Sequence, residues 1–379
     1  MKLHVDKDLF TDAVSWVART IPNRPAVPVL AGMKIVASDD GKISLSSRDS
    51  DVTSHADIED KVEVEETGEI LVNGRLLADI CRALPNEPID FSTDGATVDI
   101  ECGSARFTMK VMMMDDYAEL HEMPPVVGTV DGAEWEKAVQ QVSIAASSDD
   151  TLPMLVSVCI EIDGDQLTLM ATDRYRLAVK QLQWKSEVAN MKARILVRAS
   201  RLLDIAKSLG SVGPVQIALN DSQAPTLIGF CAGGRQNTVQ LIDGDYPQVL
   251  SLFPAEIEGY AVIDRYELAE AIKRARLVVE KNSAVRLSLS EGELELDAGQ
   301  GDAARASEAL QASLDGKDIT MAFNPAFLQE GLAVIGDDFV RLSYTQESKP
   351  AVLTGEDKKG TLDESFKLLL MPIRTYGSR

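Results

Sequence analysis

The sequence predicts an α+β fold built from three copies of one unit, each with two helices packed on antiparallel sheets. Three observations carry that prediction. Pro28-Val29-Leu30-Ala31-Gly32-Met33-Lys34-Ile35 returns about 125 residues on as Pro153-Met154-Leu155-Val156-Ser157-Val158-Cys159-Ile160. The helical pattern before it, Phe10, Ala13, Val14 and Val17, matches Trp135, Ala138, Val139 and Val142, and more weakly Leu268, Ala271, Ile272 and Ala275. Alternating strand signals follow each copy, at Ile43/Leu45/Ser47, Leu167/Leu169/Ala171 and Leu294/Leu296/Ala298. A repeat of this length is a whole domain, since solenoid units run only to roughly 50 residues. The domains are placed at 1–122, 123–254 and 255–379.

The elements follow in order. In the first copy, Asp6 or Asp8 caps a helix running to about Arg19, and Pro22 ends it. Strands are expected at 27–37, 42–48, 52–59 and 61–65, where Val and Ile alternate. Glu69-Ile70-Leu71-Val72 opens a second half, with a helix Arg75–Leu84 stopped by Pro85 and strands at 88–92, 96–102 and 105–111. The second copy gives a helix 132–146, strands at 155–162 and 166–172, Ile195-Leu196-Val197, and a helix 199–209 ended by Gly210. Strands at 214–219, 226–232 and 235–242 complete it. The third gives a helix 264–281, strands at 284–290 and 293–298, and Ile319-Thr320-Met321-Ala322-Phe323. Asn324 then suits an N-cap and Pro325 a first turn for a helix to about Ile335, followed by strands near 338–345, 350–354 and 366–373. Pro-containing linkers lie near 119–128 and 247–257. So many sheet edges are a liability that joining domains edge to edge removes.

Composition narrows the function classes. No run of 18 or more apolar residues is present to span a membrane. The opening Met1-Lys2-Leu3-His4-Val5-Asp6 becomes charged too early for a signal peptide, so a cytoplasmic protein is expected. Cys81, Cys102, Cys159 and Cys231 are widely spaced and read as buried thiols. His4, His55 and His121 share no ligand spacing, so no metal and no cofactor is expected. An enzyme is not expected. The adjacent carboxylates Asp149-Asp150 and Asp337-Asp338 point to opposite faces if on strands. Gly299-Gln300-Gly301 lacks the third glycine of a dinucleotide loop, and no nucleophile motif occurs.

The net charge of −22 argues against a protein gripping nucleic acid over its whole surface. Its distribution is uneven. The windows 7–24, 74–85, 132–147, 198–210, 264–281 and 324–336 hold 14 Lys/Arg against 11 Asp/Glu, about +3, leaving about −25 on the rest. Helix propensity of Arg and Lys is one source of such a bias. The other is a helical layer facing a polyanion while an acidic sheet layer faces away.

Specific motifs then carry a resemblance. Asn23-Arg24-Pro25-Ala26-Val27-Pro28-Val29-Leu30, Asp79-Ile80-Cys81-Arg82-Ala83-Leu84-Pro85, Ala171-Thr172-Asp173-Arg174-Tyr175-Arg176-Leu177-Ala178, Ile242-Asp243-Gly244-Asp245-Tyr246-Pro247 and Leu369-Leu370-Met371-Pro372-Ile373-Arg374 resemble the bacterial DNA polymerase III β subunit family of sliding clamps, over nearly the whole chain. The resemblance implies three clamp domains per chain and a head-to-tail homodimer forming a six-domain ring around double-stranded DNA without sequence preference. It also implies a clamp loader, a replicative polymerase and repair proteins carrying short clamp-binding peptides as partners. The alternative is a non-catalytic three-domain scaffold that does not encircle DNA.

By the same resemblance, the partner-peptide pocket involves Leu155, Thr172, Arg174, Tyr175, Arg176, Leu177, Pro247, Leu252, Pro350, Leu369, Met371, Pro372 and Ile373. Leu177, Leu252, Leu369 and Met371 are expected as its apolar floor, with Met371 able to repack around different ligands. Arg174 and Tyr175 stand where many members have Gly or His, and the chain runs on past Arg374. Arg24, Arg75 and Arg198 fall on DNA contacts, and Phe107 and Met109 are expected to meet Leu277 and Val278 of a second copy. Gln248-Val249-Leu250-Ser251-Leu252-Phe253 itself resembles the peptides that clamps bind.

Overall fold

In the computed structural model, which describes residues 1–117, 120–221, 224–280, 283–299 and 304–374, six α-helices are arranged as the repeat requires. α1 (Lys7–Val17) is capped by the Asp6 carboxylate, which accepts from the amides of Asp8 and Leu9. α2 (Gly74–Ala83) is capped by Asn73. α3 (Gly132–Ser143) follows Asp131, which accepts from the Glu134 amide at 3.0 Å. α4 (Ala199–Leu209) follows Arg198. α5 (Arg265–Ala275) is capped by Asp264, and α6 (Pro325–Val334) by Asn324, with Pro325 in the first turn. Such caps satisfy amides that would otherwise have no partner in the first turn. The apolar positions read from the repeat, from Phe10 through Trp135 to Ala275, are all buried. Glu119, Lys281, Gln300, Gly301 and the extension 375–379 lie outside the described residues.

Packing density divides the chain into two units, 1–135 with 185–191 and 204–241, and 136–184 with 192–203 and 242–379. The first holds a five-stranded and a nine-stranded sheet. The five run Val62–Glu66, Lys2–Val5, Ile89–Thr93, Thr97–Cys102, Ala105–Lys110. Phe10 of α1 and Phe91 of this sheet meet with ring centroids 5.9 Å apart, tilted by 58°, adding about 1 kcal/mol to their burial. In the nine-stranded sheet, Arg235–Gln240 pairs antiparallel with Val52–Ile58, so the second and first repeats share one sheet.

The second unit holds a single twelve-stranded sheet. It runs from Lys192–Arg198 through Ser157–Asp163, Gln166–Thr172 and Arg176–Gln183 to Phe366–Leu370, Ala351–Glu356, Phe339–Tyr344 and Gly259–Asp264. Ala306–Asp315, Gly292–Ala298, Val285–Ser290 and Ile319–Phe323 complete it. Here the junction is Arg176–Gln183 against Phe366–Leu370, joining the second repeat to the third.

Several strands differ from the sequence reading. Residues Pro28–Ala31, expected at the start of a strand, form a 3₁₀ turn, since Pro28 sets the turn's φ and has no amide for a ladder. Lys2–Val5, Val126–Val130 and Gly259–Asp264 are strands that run directly into a helix cap. Arg176–Gln183 and Ala306–Asp315 are also strands. The helix expected over 264–281 ends at Ala275.

Candidate functional site

The turn between the Gln166–Thr172 and Arg176–Gln183 strands is fixed by its own side chains. Asp173 accepts from the amides of Tyr175 and Arg176, each at 3.0 Å, while the Thr172 hydroxyl donates to the Arg176 carbonyl at 2.6 Å. This turn places Arg174 at φ 78°, in the left-handed region. The Met371 amide then donates to the Tyr175 carbonyl at 2.9 Å, and Leu369 pairs with Leu177 across the junction.

Below this surface lies a cluster of Cys159, Met170, Leu177, Val179, Leu196, Tyr246, Val249 and Leu369, with Met154, Ile242 and Phe253 packed against it. Leu177 and Leu369, expected as pocket floor, are sealed in that cluster at 1% and 2% exposure. The apolar surface open to a ligand is Tyr175 at 59%, Leu252 at 55%, Met371 at 42% and Ile373 at 37%. Leu155 and Thr172 are buried beside them, Pro247 and Arg174 are exposed, and Pro350 and Pro372 are half-buried. The cluster residues Tyr246, Val249 and Phe253 stand inside motifs already noted in the sequence, but spacing alone did not mark them as supports.

Arg176 is the most heavily paired of the expected pocket residues. Its guanidinium is buried, bonded to Asp173 at 3.0 Å and Glu330 at 2.5 Å, and lies 4.2 Å over the Phe327 ring. These contacts hold the turn in place.

The other junction repeats this construction with different chemistry. There the Gln240 amide donates to the Asp51 carbonyl at 2.9 Å, matching Met371 on Tyr175. The strand registers place Thr53 where the second junction has Leu177. Glu122 precedes Met123-Pro124 as Leu252 precedes Phe253-Pro254. The resulting cavity of about 230 Å³ is lined by Thr53, His55, His121, Glu122 and Gln236 among others. Leu120 and Met123 complete its lining, so polar and apolar side chains alternate around it.

The cationic residues are placed as follows. Arg24 is exposed, and Arg75 projects from the first turn of α2 with its guanidinium bonded to the Ile21 carbonyl. Arg198 stands where Asn73 and Asn324 cap the corresponding helices of the other repeats. An arginine side chain has no acceptor and cannot cap. It instead meets Asp150 at 2.7 Å beside a cavity of about 410 Å³ lined by Ser143, Ser147, Ser148, Asp150, Arg198 and Ser200 among others. Further helix cations are engaged locally, Arg82 with Asp79, Lys273 with Glu270 and Arg274 with Glu308. Exposed pairs of this kind contribute at most about 1 kcal/mol each.

Among the open strand edges of the described residues, two correspond to the strands that form the junctions. Ala105–Lys110 has a partner on one side only, and residues 306–311 pair with Gly292–Ala298 on one side only. Phe107 is 38% exposed on the first edge, whereas Met109 is buried in its own sheet. Leu277 is 85% exposed beyond the end of α5, and Val278 is half-buried.

Among the described residues, no group of three or more His, Cys, Asp or Glu is placed to hold a metal ion. Burial pushes the Cys81 and Cys159 thiols up to about 12, which keeps them unreactive. No helix among the described residues is long and apolar enough to cross a membrane.

Comparison with known proteins gives consistent matches. Residues 1–121, 129–248 and 250–374 match the profiles of the N-terminal, central and C-terminal domains of the DNA polymerase III beta subunit. A beta sliding clamp of Streptomyces coelicolor is 47% identical over the whole of both chains. One of Bacillus subtilis is 26% identical over 99% of this chain and 100% of its own. The Bacillus subtilis DNA polymerase sliding clamp structure superposes with a TM-score of 0.90 at 26% identity, covering 99% of this chain and all of that one. A Pseudomonas aeruginosa sliding clamp bound to griselimycin gives 0.89 at 25% identity with the same coverage.

Proposed function

The chain belongs to the DNA polymerase III beta subunit family, and from that membership we propose how its surfaces divide the work of a clamp. It is a DNA sliding clamp, a non-catalytic processivity factor for polymerase III. Its three domains, 1–122, 123–254 and 255–379, close with those of a second copy into a ring around double-stranded DNA. Attachment is then topological and independent of sequence.

The observation that carries this reading is the pair of open edges. Two of three equivalent junctions are made inside one chain, Val52–Ile58 with Arg235–Gln240 and Arg176–Gln183 with Phe366–Leu370. The third has both halves present and unjoined, Ala105–Lys110 and residues 306–311. Pairing each with the other in a second copy uses both edges twice, a head-to-tail contact that closes after two copies. Phe107 and Leu277 are the exposed apolar residues available to such an interface, with Val278 and the buried Met109 behind them.

Arg24, Arg75 and Arg198 serve as contacts to the phosphate backbone. Tyr175, Leu252, Met371 and Ile373 receive an extended partner peptide, with Arg174, Pro247, Pro350 and Pro372 around them and Leu155, Thr172, Arg176, Leu177 and Leu369 in support. The loader, the replicative polymerase and repair proteins are the partners this pocket serves, in the cytoplasm at the nucleoid.

The test is retention on circular and linearised plasmid after loading, at moderate and high salt. A clamp stays on the circle through high salt and leaves when the plasmid is cut. A protein held by phosphate contacts loses affinity steeply with salt on either form. Equal loss from both forms overturns encirclement and leaves the scaffold reading.

A further inference from the structure

The segment 147–156 touches both sites in the second unit. Its base is tied by the Ser147 amide to the Leu155 carbonyl at 2.8 Å, and the Ala199 amide at the start of α4 donates to Val156 at 2.9 Å. At its tip, Asp150 meets Arg198. The neighbouring Asp149 is held below the usual carboxylate range by the Thr151 hydroxyl and amide, with the charge of Arg174 adding to the effect. Adjacent carboxylates thus relate to the arginines of two sites, Asp150 to Arg198 by direct contact and Asp149 to Arg174 through charge alone. At its other end, Met154 packs on the cluster containing Leu177 and Leu369, so close to Gly244 that a Cβ there would come within 3.3 Å of it. In this position Met154 shields part of the apolar cluster that supports the peptide pocket.

We propose that the segment 147–156 couples the backbone-phosphate contact to the peptide pocket: a phosphate at Arg198 displaces Asp150, the segment lifts with Met154, and the pocket binds an extended apolar peptide more tightly. The proposal rests on the clamp reading of both sites. The exchange is chemically even, one anion replacing another on the same guanidinium, so it needs no new charge to be buried. The linkage is reciprocal, and bound peptide strengthens the phosphate contact by the same factor.

The experiment is fluorescence anisotropy of a labelled peptide copying residues 248–253, Gln-Val-Leu-Ser-Leu-Phe, titrated with the full chain at low salt, with and without a short linear duplex. Wild type, Asp150→Asn and Arg198→Gln are compared, with thermal melts to verify folding. The expected result is that duplex tightens wild-type peptide binding about fivefold or more, within the usual range of coupling between sites. Asp150→Asn and Arg198→Gln bind tightly without duplex and gain nothing from it. Equal affinity in all three proteins, with and without duplex, overturns the coupling and leaves the pocket standing. Tight binding by the variants with no duplex response in wild type overturns the phosphate trigger. No peptide binding by any form overturns the pocket reading itself, and the coupling with it.

Discussion

Arg198 shows how one residue can trade stability for contact. Asn73 and Asn324 each cap a helix at the equivalent position, and exchanging such a cap for a side chain without an acceptor costs about 1 kcal/mol. Arg198→Asn is therefore expected to raise stability by about 1 kcal/mol in urea unfolding while weakening low-salt binding to a short linear duplex. A gain in both would remove Arg198 from the DNA contacts. Arg176 makes the opposite case. Truncating it to Ala leaves Asp173 largely buried without its cation, which is expected to cost about 3 kcal/mol, again read by urea unfolding. Asp57 gives the pH dependence. Burial opposes its charge, but Lys42 at 2.7 Å, Ser44 at 2.7 Å and His55 at 2.9 Å outweigh that and hold its carboxyl below the usual range. A depressed folded-state value stabilises above the unfolded one. The advantage of wild type over Asp57→Asn should be complete above about pH 5 and fade as pH falls below about 4.

Among the elements, the start of α3 is closed in by backbone. A Cβ on Gly132 would sit 2.2 Å from the Gly213 carbonyl oxygen and 2.7 Å from that of Gly210. Both are backbone atoms that cannot rotate away, so Gly132→Ala is expected to cost about 1–3 kcal/mol, measurable as a lowered thermal midpoint. The helices were legible because caps such as Asp6 and Asn324 and a period near 3.6 mark them together. The strands Lys2–Val5, Val126–Val130 and Gly259–Asp264 were not, because they are short and pass into a cap without a turn residue. Arg176–Gln183 was hidden by its own chemistry. Arg176 and Lys180 are buried there through ion pairs to Asp173 and Asp363, which spoils the polar-out alternation that marks a strand. The same limit applies to the pocket. Sequence grouped Leu177 with Met371, but only the fold separates a leucine sealed beneath the surface from a methionine open upon it.

For the whole molecule, the two completed junctions predict the register of the one left open. Arg235 opposite Ala56, carried across the repeat, puts Ala105 opposite Glu308 and Arg106 opposite Ser307 of another copy. Cysteines at Arg106 and Ser307 should therefore link two chains on oxidation. A link at a neighbouring pair instead would shift the strand by one residue and turn Phe107 to the other face. Phe107→Asp with Leu277→Asp should yield monomers by light scattering, since each places a charge where a dry contact is needed.

The polar residues Thr53, Glu122 and Gln240 have a consequence for traffic. With leucine and methionine at the first junction, each chain would offer two interchangeable sockets. With the proposed pocket at the second junction alone, each chain offers one, so a two-chain ring carries two. Two partners can ride together, and a third must wait for a vacancy. Because the riders share one small ring, the second socket sees a departing partner's neighbour at high local concentration. Replacement is then governed by how quickly one peptide lets go, and the order of service on DNA becomes a matter of residence times rather than of separate addresses.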